Sequence, residues 1–153
     1  MAKAKLDENF LAENVKLIIE KLGVSAVAEV SRINDTFFVE IASEDSSLLI
    51  GKYGTNLESL QFILAVRLKS LTGRDDFEIF VDVDGWRRQK EEKLKKMALS
   101  IAEKVSASGK PESLYNLKSA DRRVIHTTLT GHPRVVTLSE GEGVDRYLII
   151  KPK

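Results

Sequence analysis

Two short stretches of this sequence carry residue types suited to gripping an anion. The first is Gly51-Lys52-Tyr53-Gly54. Glycines let the backbone turn sharply and leave no Cβ between the main chain and an approaching phosphate. A helix starting just after them would aim its first N–H groups and the positive end of its dipole at the same spot. Lys52 would add a mobile charge there. The competing reading is a helix–turn–helix corner in which the glycines only close a turn. The Gly-x-x-x-x-Gly-Lys-Ser/Thr pattern of a P-loop is absent. The second stretch holds Arg122 and His126, four apart on an expected helix and so within reach of a common ligand. A guanidinium can chelate two phosphate oxygens while an imidazole donates a third bond. On a helical wheel Val124, Ile125, Thr128 and Leu129 turn inward, Arg122 and His126 fall on the flank, and Arg123 and Thr130 lie further out. Here the competing reading packs His126 against a sheet and pairs Arg122 with Asp121 or Glu112.

Chemistry beyond binding is poorly supported. A nuclease or phosphotransferase using His126 would need a convergent base, acid and charge stabiliser. Near His126 the sequence offers cations, and Asp121 is the one nearby acid, on the core-facing side of the wheel. No catalytic residue, metal site or cofactor is expected, and the chain has no cysteine to hold zinc or an iron–sulfur cluster.

The elements that must position these residues can be read in order. Phe10 to Leu22 has the helical spacing, with Asp7 as cap and Gly23 as stop. Ala26–Ile33 and Thr36–Ile41 read as strands joined by a tight turn at Asn34-Asp35. Ser46–Ile50 is one helical turn leading into the glycine loop. Thr55-Asn56-Leu57-Glu58 fits a capping box for a helix to about Leu71, with Leu57, Leu60, Ile63, Leu64 and Leu68 facing a core. Phe77–Val83 alternates as a third strand. A long helix follows from Trp86 to about Ser106, its apolar stripe Leu94, Met97, Ala98, Ile101, Ala102 and Val105, its other face a mixed run of charges from Arg87 to Lys96. Glu112–Leu117 is a short strand. Ser119 should cap a helix from Ala120 to about Thr130, which Gly131-His132-Pro133 stops. Arg134–Leu138 and Arg146–Ile150 are two further strands. Arg134 and Arg146, at their starts, would widen the second site. Tyr53 and Trp86 could stack on bases, with Trp86 also suited to fastening the long helix to the first sheet.

Of the 153 residues, 42% are hydrophobic and 31% charged, as in a globular protein. The net charge of +1 conceals a split: residues 1–83 hold nine Lys and Arg against fourteen Asp and Glu (−5), and residues 84–153 hold fifteen against nine (+6). A basic module attached to an acidic one is implied. The acidic part could bind a polyanion only through local geometry. The polar N-terminal stretch and the lack of a long apolar run make cytoplasmic the expected location, without membrane insertion.

The run from Ser47 through Gly51-Lys52-Tyr53-Gly54 to Gln61 resembles the core of a KH domain, and the element order resembles its bacterial, type II arrangement. The run from Ser119 to Leu129, with His132-Pro133-Arg134 to Gly143 after it, resembles an R-three-H domain, named for its Arg-x-x-x-His. The two together, from about Phe10 to Lys153, are similar to the bacterial Jag family of SpoIIIJ-associated, or KhpB, proteins. Members commonly carry a further small N-terminal domain and linker, whereas this sequence opens close to the first KH helix.

The resemblance implies an α+β fold: a type II KH domain at 8–84, a connecting helix at 85–108 and a small R-three-H domain at 109–153. It implies single-stranded RNA as ligand, with single-stranded DNA as the alternative, clamped at Gly51, Lys52, Tyr53 and Gly54. Ile50 and Leu57 fall beside the clamp as groove lining or as core. Arg122, His126 and Arg123 would form the second contact. Association with a small KH-domain protein or with itself, and ties to cell elongation and division, are further implications. A rival function is a scaffold that dimerises through the KH unit and touches nucleic acid incidentally.

Overall fold

Asp7 accepts a hydrogen bond from the Phe10 N–H at 3.0 Å and so opens helix α1 (Glu8–Leu22), which Gly23 closes at φ 70°. Both ends are those the sequence signals, a carboxylate on an orphan N–H and a glycine in the left-handed region. In this computed structural model, which describes residues 4–153, α1 is followed by β1 (Ala26–Ile33) and β2 (Thr36–Ser43), paired antiparallel along their whole length around the Asn34-Asp35 turn. Asn34 sits at φ 55°, a conformation that asparagine tolerates better than most residues. Helices α2 (Ser46–Ile50) and α3 (Thr55–Thr72) then carry the chain across to β3 (Glu78–Val83), which lies parallel to β2. A parallel neighbour requires such a crossover, and here the crossover contains the glycine loop.

Alternation decides what this first sheet buries. Phe37, Val39 and Ile41 of β2 and Ile79, Val81 and Val83 of β3 form a core with Leu11, Val15 and Ile19 of α1 and with Leu57, Leu60, Leu64 and Leu68 of α3. Asn14 is buried among them with both ends of its amide satisfied. Its Nδ2 donates to the Phe10 carbonyl and its Oδ1 accepts from Arg67 Nε, each at 2.7 Å, which ties α1 to α3. Ile63, expected in the core, is instead 51% exposed. The buried stripe of α3 runs 57, 60, 64, 68, and Ile63 lies one residue outside it.

The long helix α4 (Trp86–Ser108) leads to β4 (Glu112–Leu114), α5 (Ser119–Leu129), β5 (Val135–Glu140) and β6 (Tyr147–Pro152). The three strands form a second, wholly antiparallel sheet in the order β4-β6-β5. Ala98, Ala102 and Val105 of α4, Ile125 and Leu129 of α5, and Val135, Leu148 and Ile150 of the sheet make its core, with Leu94, Met97 and Ile101 packed at its margin. The expected stripe of α4 is therefore the buried one. The chain divides into two compact units, one ending at Arg87 and the other running from Arg88 to Lys153. The fold is α+β in both, and the element order of the first is the one expected for a type II KH domain.

Two helix starts differ from expectation. Thr55 already has helical dihedrals (φ −65°, ψ −39°), so it is not a cap: its hydroxyl donates back to the Lys52 carbonyl at 2.9 Å, and α3 opens without a side-chain cap. The position before it is taken by Gly54, in the left-handed region at φ 79°. Ser119 is likewise inside α5, and its Oγ accepts from Arg122 Nη2 at 3.1 Å instead of capping. In each case the hydroxyl stands one residue too late and has a closer partner.

Candidate functional site

The glycine loop is built from its two ends inward. Lys52–Gly54 form a single 3-10 turn between α2 and α3. Gly51 and Gly54 have positive φ, 70° and 79°, so both need glycine for the turn itself. Their missing side chains also make room for the protein's own atoms. A Cβ on Gly51 would stand 2.5 Å from Cγ of Asn56, whose Nδ2 donates to the Leu48 carbonyl at 2.8 Å. A Cβ on Gly54 would stand 2.2 Å from the ring of Trp86. The glycines thus serve packing within the first unit, where sequence reasoning assigns them to ligand approach. Trp86 fastens the start of α4 to this loop.

The middle of the loop faces outward. Lys52 and Tyr53 are exposed, Tyr53 by 72%. Tyr53 adopts φ 56°, ψ 26°, a left-handed conformation that costs an L-residue on the order of 1 kcal/mol. Lys52 Nζ lies 5.5 Å from the centre of its ring, a cation–π contact. Of the two residues proposed as groove lining, Leu57 is wholly buried and belongs to the core, and Ile50 is half-buried against that core. Arg87, expected on the charged face of α4, turns back onto β3. Its Nε donates to the Val81 carbonyl at 3.0 Å and its Nη2 to Gln61 Oε1 at 3.1 Å, while Gln61 Oε1 also accepts from the Val81 N–H at 3.0 Å. β3 is an edge strand, and at Val81 its free edge is occupied by these two side chains.

In the second unit, α5 brings Arg122 and His126 to one flank, toward the strands. Arg122 is heavily used. Its Nη1 donates to the carbonyls of Leu117 at 2.6 Å and Arg146 at 3.3 Å, and its Nη2 to Ser119 Oγ. Neither acid of the competing reading is its partner: Asp121 pairs with Lys90 at 2.7 Å, and Glu112 with Lys104. His126 is exposed, with Nδ1 2.5 Å from Thr137 Oγ1 on β5. That bond orients the imidazole and leaves Nε2 without a partner among the described residues. Arg123 is exposed on another flank, beside Glu91, Lys95, Val124 and Thr127.

Arg134 and Arg146 both precede strands, but those strands are antiparallel, with Val135 opposite Pro152 and Glu140 opposite Tyr147. The two arginines therefore stand at opposite ends of the pair, about 23 Å apart along it. Only Arg146 is at the Arg122 end. Sequence reasoning missed a further feature of that end. Tyr115, just past β4, and Tyr147, at the start of β6, stack with ring centroids 4.9 Å apart and planes 29° from parallel. They are separated by more than thirty residues, so only the β4–β6 pairing could have announced them.

Comparison with known proteins supports a single family. The R-three-H domain model matches residues 92–152, a span that covers most of α4 and all of β4, α5, β5 and β6. The chain is 30% identical over 141 residues to the RNA-binding protein KhpB of Bacillus subtilis, an alignment covering 91% of this chain and 67% of that protein. It is also 30% identical over 132 residues to the RNA-binding protein KhpB of Clostridium symbiosum, covering 86% and 59%. For the RNA-binding protein KhpB of Lactiplantibacillus plantarum the figure is 30% over 140 residues, covering 92% and 43%. This chain thus spans between 43% and 67% of the length of these three relatives. On the match to the Bacillus subtilis protein across nearly all of this chain, together with the R-three-H model over its second unit, the chain belongs to the KhpB, or Jag, family.

Proposed function

We propose that this chain binds single-stranded RNA, or alternatively single-stranded DNA, through the exposed turn Lys52-Tyr53 and through the surface around Arg122 and His126. The observation that carries this reading is the turn itself. Lys52 and Tyr53 project into solvent at the start of a helix that no side chain caps, with Tyr53 held in a left-handed conformation. Uncapped helix N-termini favour anions, and a lysine beside an exposed aromatic ring suits a phosphate and its base. In this proposal Gly51 and Gly54 shape the clamp from within, and Ile50 lines its edge. His126 Nε2 and the Arg122 donors not already used form a second phosphate contact, with Arg123 as a peripheral charge.

Binding without catalysis fits the same geometry, because the acid nearest the motif, Asp121, is held in an ion pair by Lys90. Among the described residues no helix is long and apolar enough to cross a membrane. A cytoplasmic post-transcriptional regulator with a link to cell elongation and division, partnered by a small KH protein, is the wider role we propose from the family.

The test is a binding isotherm for a labelled single-stranded oligoribonucleotide at low salt. Lys52→Asp combined with Tyr53→Asp should weaken binding on the order of tenfold or more by charge reversal, with the melting temperature no lower than native because both side chains are exposed. An unaltered isotherm would reject the clamp.

A second reading has its own support. Leu48, Phe62, Ile63 and Val66 are all exposed on the helical side of the first unit, Phe62 by 70%. That much apolar surface on neighbouring positions of α2 and α3 fits a self-associating scaffold. Gel filtration showing a tight dimer, together with no shift on RNA, would favour it.

A further inference from the structure

We infer that the stacked Tyr115–Tyr147 pair is a nucleobase-stacking site, taking an unpaired base of a single-stranded nucleic acid. This rests on the nucleic-acid reading above and adds a contact that the Arg-x-x-x-His motif does not include.

The pair is presented by the sheet. Along β6, Leu148 and Ile150 turn into the core, so Tyr147 and Ile149 turn the other way. Leu114 packs on the same core, and Tyr115 follows it with the opposite orientation, 61% exposed. Leu138 lies opposite Ile149 in the register, with the small Ser113 on its other side, which places a low, partly apolar floor beside the rings. One tyrosine on a surface needs no explanation. Here two rings from distant segments are stacked on each other, with Tyr115 largely open to solvent.

The rings are also held. The Tyr147 hydroxyl donates to Glu140 Oε2 at 2.9 Å. That hydrogen bond, and the neighbouring negative charge, raise the phenol above its ordinary pKa, so it stays neutral near pH 7. Arg122 fixes the backbone beneath the pair, because one of its nitrogens joins the carbonyl two residues after Tyr115 to the carbonyl just before Tyr147. The arginine is in this sense a positioning residue for the rings.

Charge selects the occupant. Residues 88–153 hold fourteen Lys and Arg against eight Asp and Glu, a net +6. Arg146 is exposed beside Tyr147, and Lys151 is exposed further along the same strand. A polyanion carrying flat aromatic groups matches a cationic surface with an open ring. Glu140 opposes it, as do the exposed Glu142 and Asp145 in the preceding loop, but the Glu140 carboxylate already accepts from Tyr147.

The experiment uses the full chain and two labelled strands about 15 nucleotides long, one an oligoadenylate and one with every base replaced by an abasic spacer. Tyr115→Ala should weaken oligoadenylate binding by about 5- to 100-fold, the range for losing one base–aromatic stack. Tyr115→Phe should stay within about twofold of the native protein, since the ring is retained. On the abasic strand the three proteins should bind alike, with the same salt dependence. Native-like oligoadenylate binding by Tyr115→Ala would overturn the stacking site and leave the RNA reading standing. An equal loss on both strands would overturn it too, by pointing to charge or folding. No binding of either strand by the native protein would overturn the RNA reading itself.

Discussion

The loop at 51–54 and the pair at 122 and 126 divide their residues differently between holding the fold and meeting solvent. In the loop the signature residues at the ends face inward, against Asn56 and Trp86, and the two in the middle face out. In the Arg-x-x-x-His motif the first residue is largely engaged, joining the carbonyls of Leu117 and Arg146 and the Ser119 hydroxyl, while the histidine is exposed with one nitrogen unpartnered among the described residues. The difference teaches that a motif's defining residues can be engaged in holding the fold. A glycine can define a site by what the protein packs into its place. An arginine can define one by fixing the segments on either side.

Substitutions can break this contrast. The largest effect should come from Gly54→Ala. The left-handed φ and a Cβ 2.2 Å from the Trp86 ring act together, and a loss of about 2–5 kcal/mol in unfolding free energy is expected from strain plus overpacking. Adding Trp86→Ala should remove the collision while leaving the strain. Urea titrations of the single and double variants would show it, and a single variant as stable as native would mean the indole is not seated on the glycine. Next is Arg122→Ala, which should lower stability by about 1–3 kcal/mol through three lost hydrogen bonds. Arg122→Lys should fare little better, because an ammonium cannot span the same acceptors as a planar fork. Native stability in both, with weakened RNA binding, would make the arginine a contact residue alone and erase the contrast. The smallest effect is Tyr53→Asn, expected to raise stability by roughly 0.5 kcal/mol because asparagine is easier in the left-handed region. The same change should weaken binding to RNA by loss of the ring, giving opposite signs in a melting curve and an isotherm. Equal signs would say that Tyr53 holds the fold.

How far the sequence alone reached follows the same division. The apolar spacing on α1 and α4, the alternation on β2 and β3 and the glycine at the end of α1 were legible because each depends on residues close in the chain. The Asn34 turn was legible for the same reason. The capping box at Thr55 was misplaced by one residue, since the preceding 3-10 turn leaves Gly54 at the cap position and makes Thr55 the first helical residue. Ile63 was misjudged because a wheel gives the direction of a side chain but not the width of the buried stripe. The outward placement of Lys52, Tyr53 and His126 was readable, because it follows from local turn and helix geometry. The engagement of Arg122 and the opposed ends of Arg134 and Arg146 depend on strand pairing across many residues, as does the Tyr115–Tyr147 stack. Arg87 was misassigned for a related reason: its partners Gln61 and Val81 lie on other elements, and no local periodicity reveals them.

Trp86 is the sole tryptophan of the sequence, and its indole lies directly against the second glycine of the loop. The protein therefore carries its own optical gauge at that turn. Any movement of the loop, whether from a ligand settling on it or from the first unit loosening, alters the surroundings of one chromophore, and emission from the native, unlabelled chain will register it.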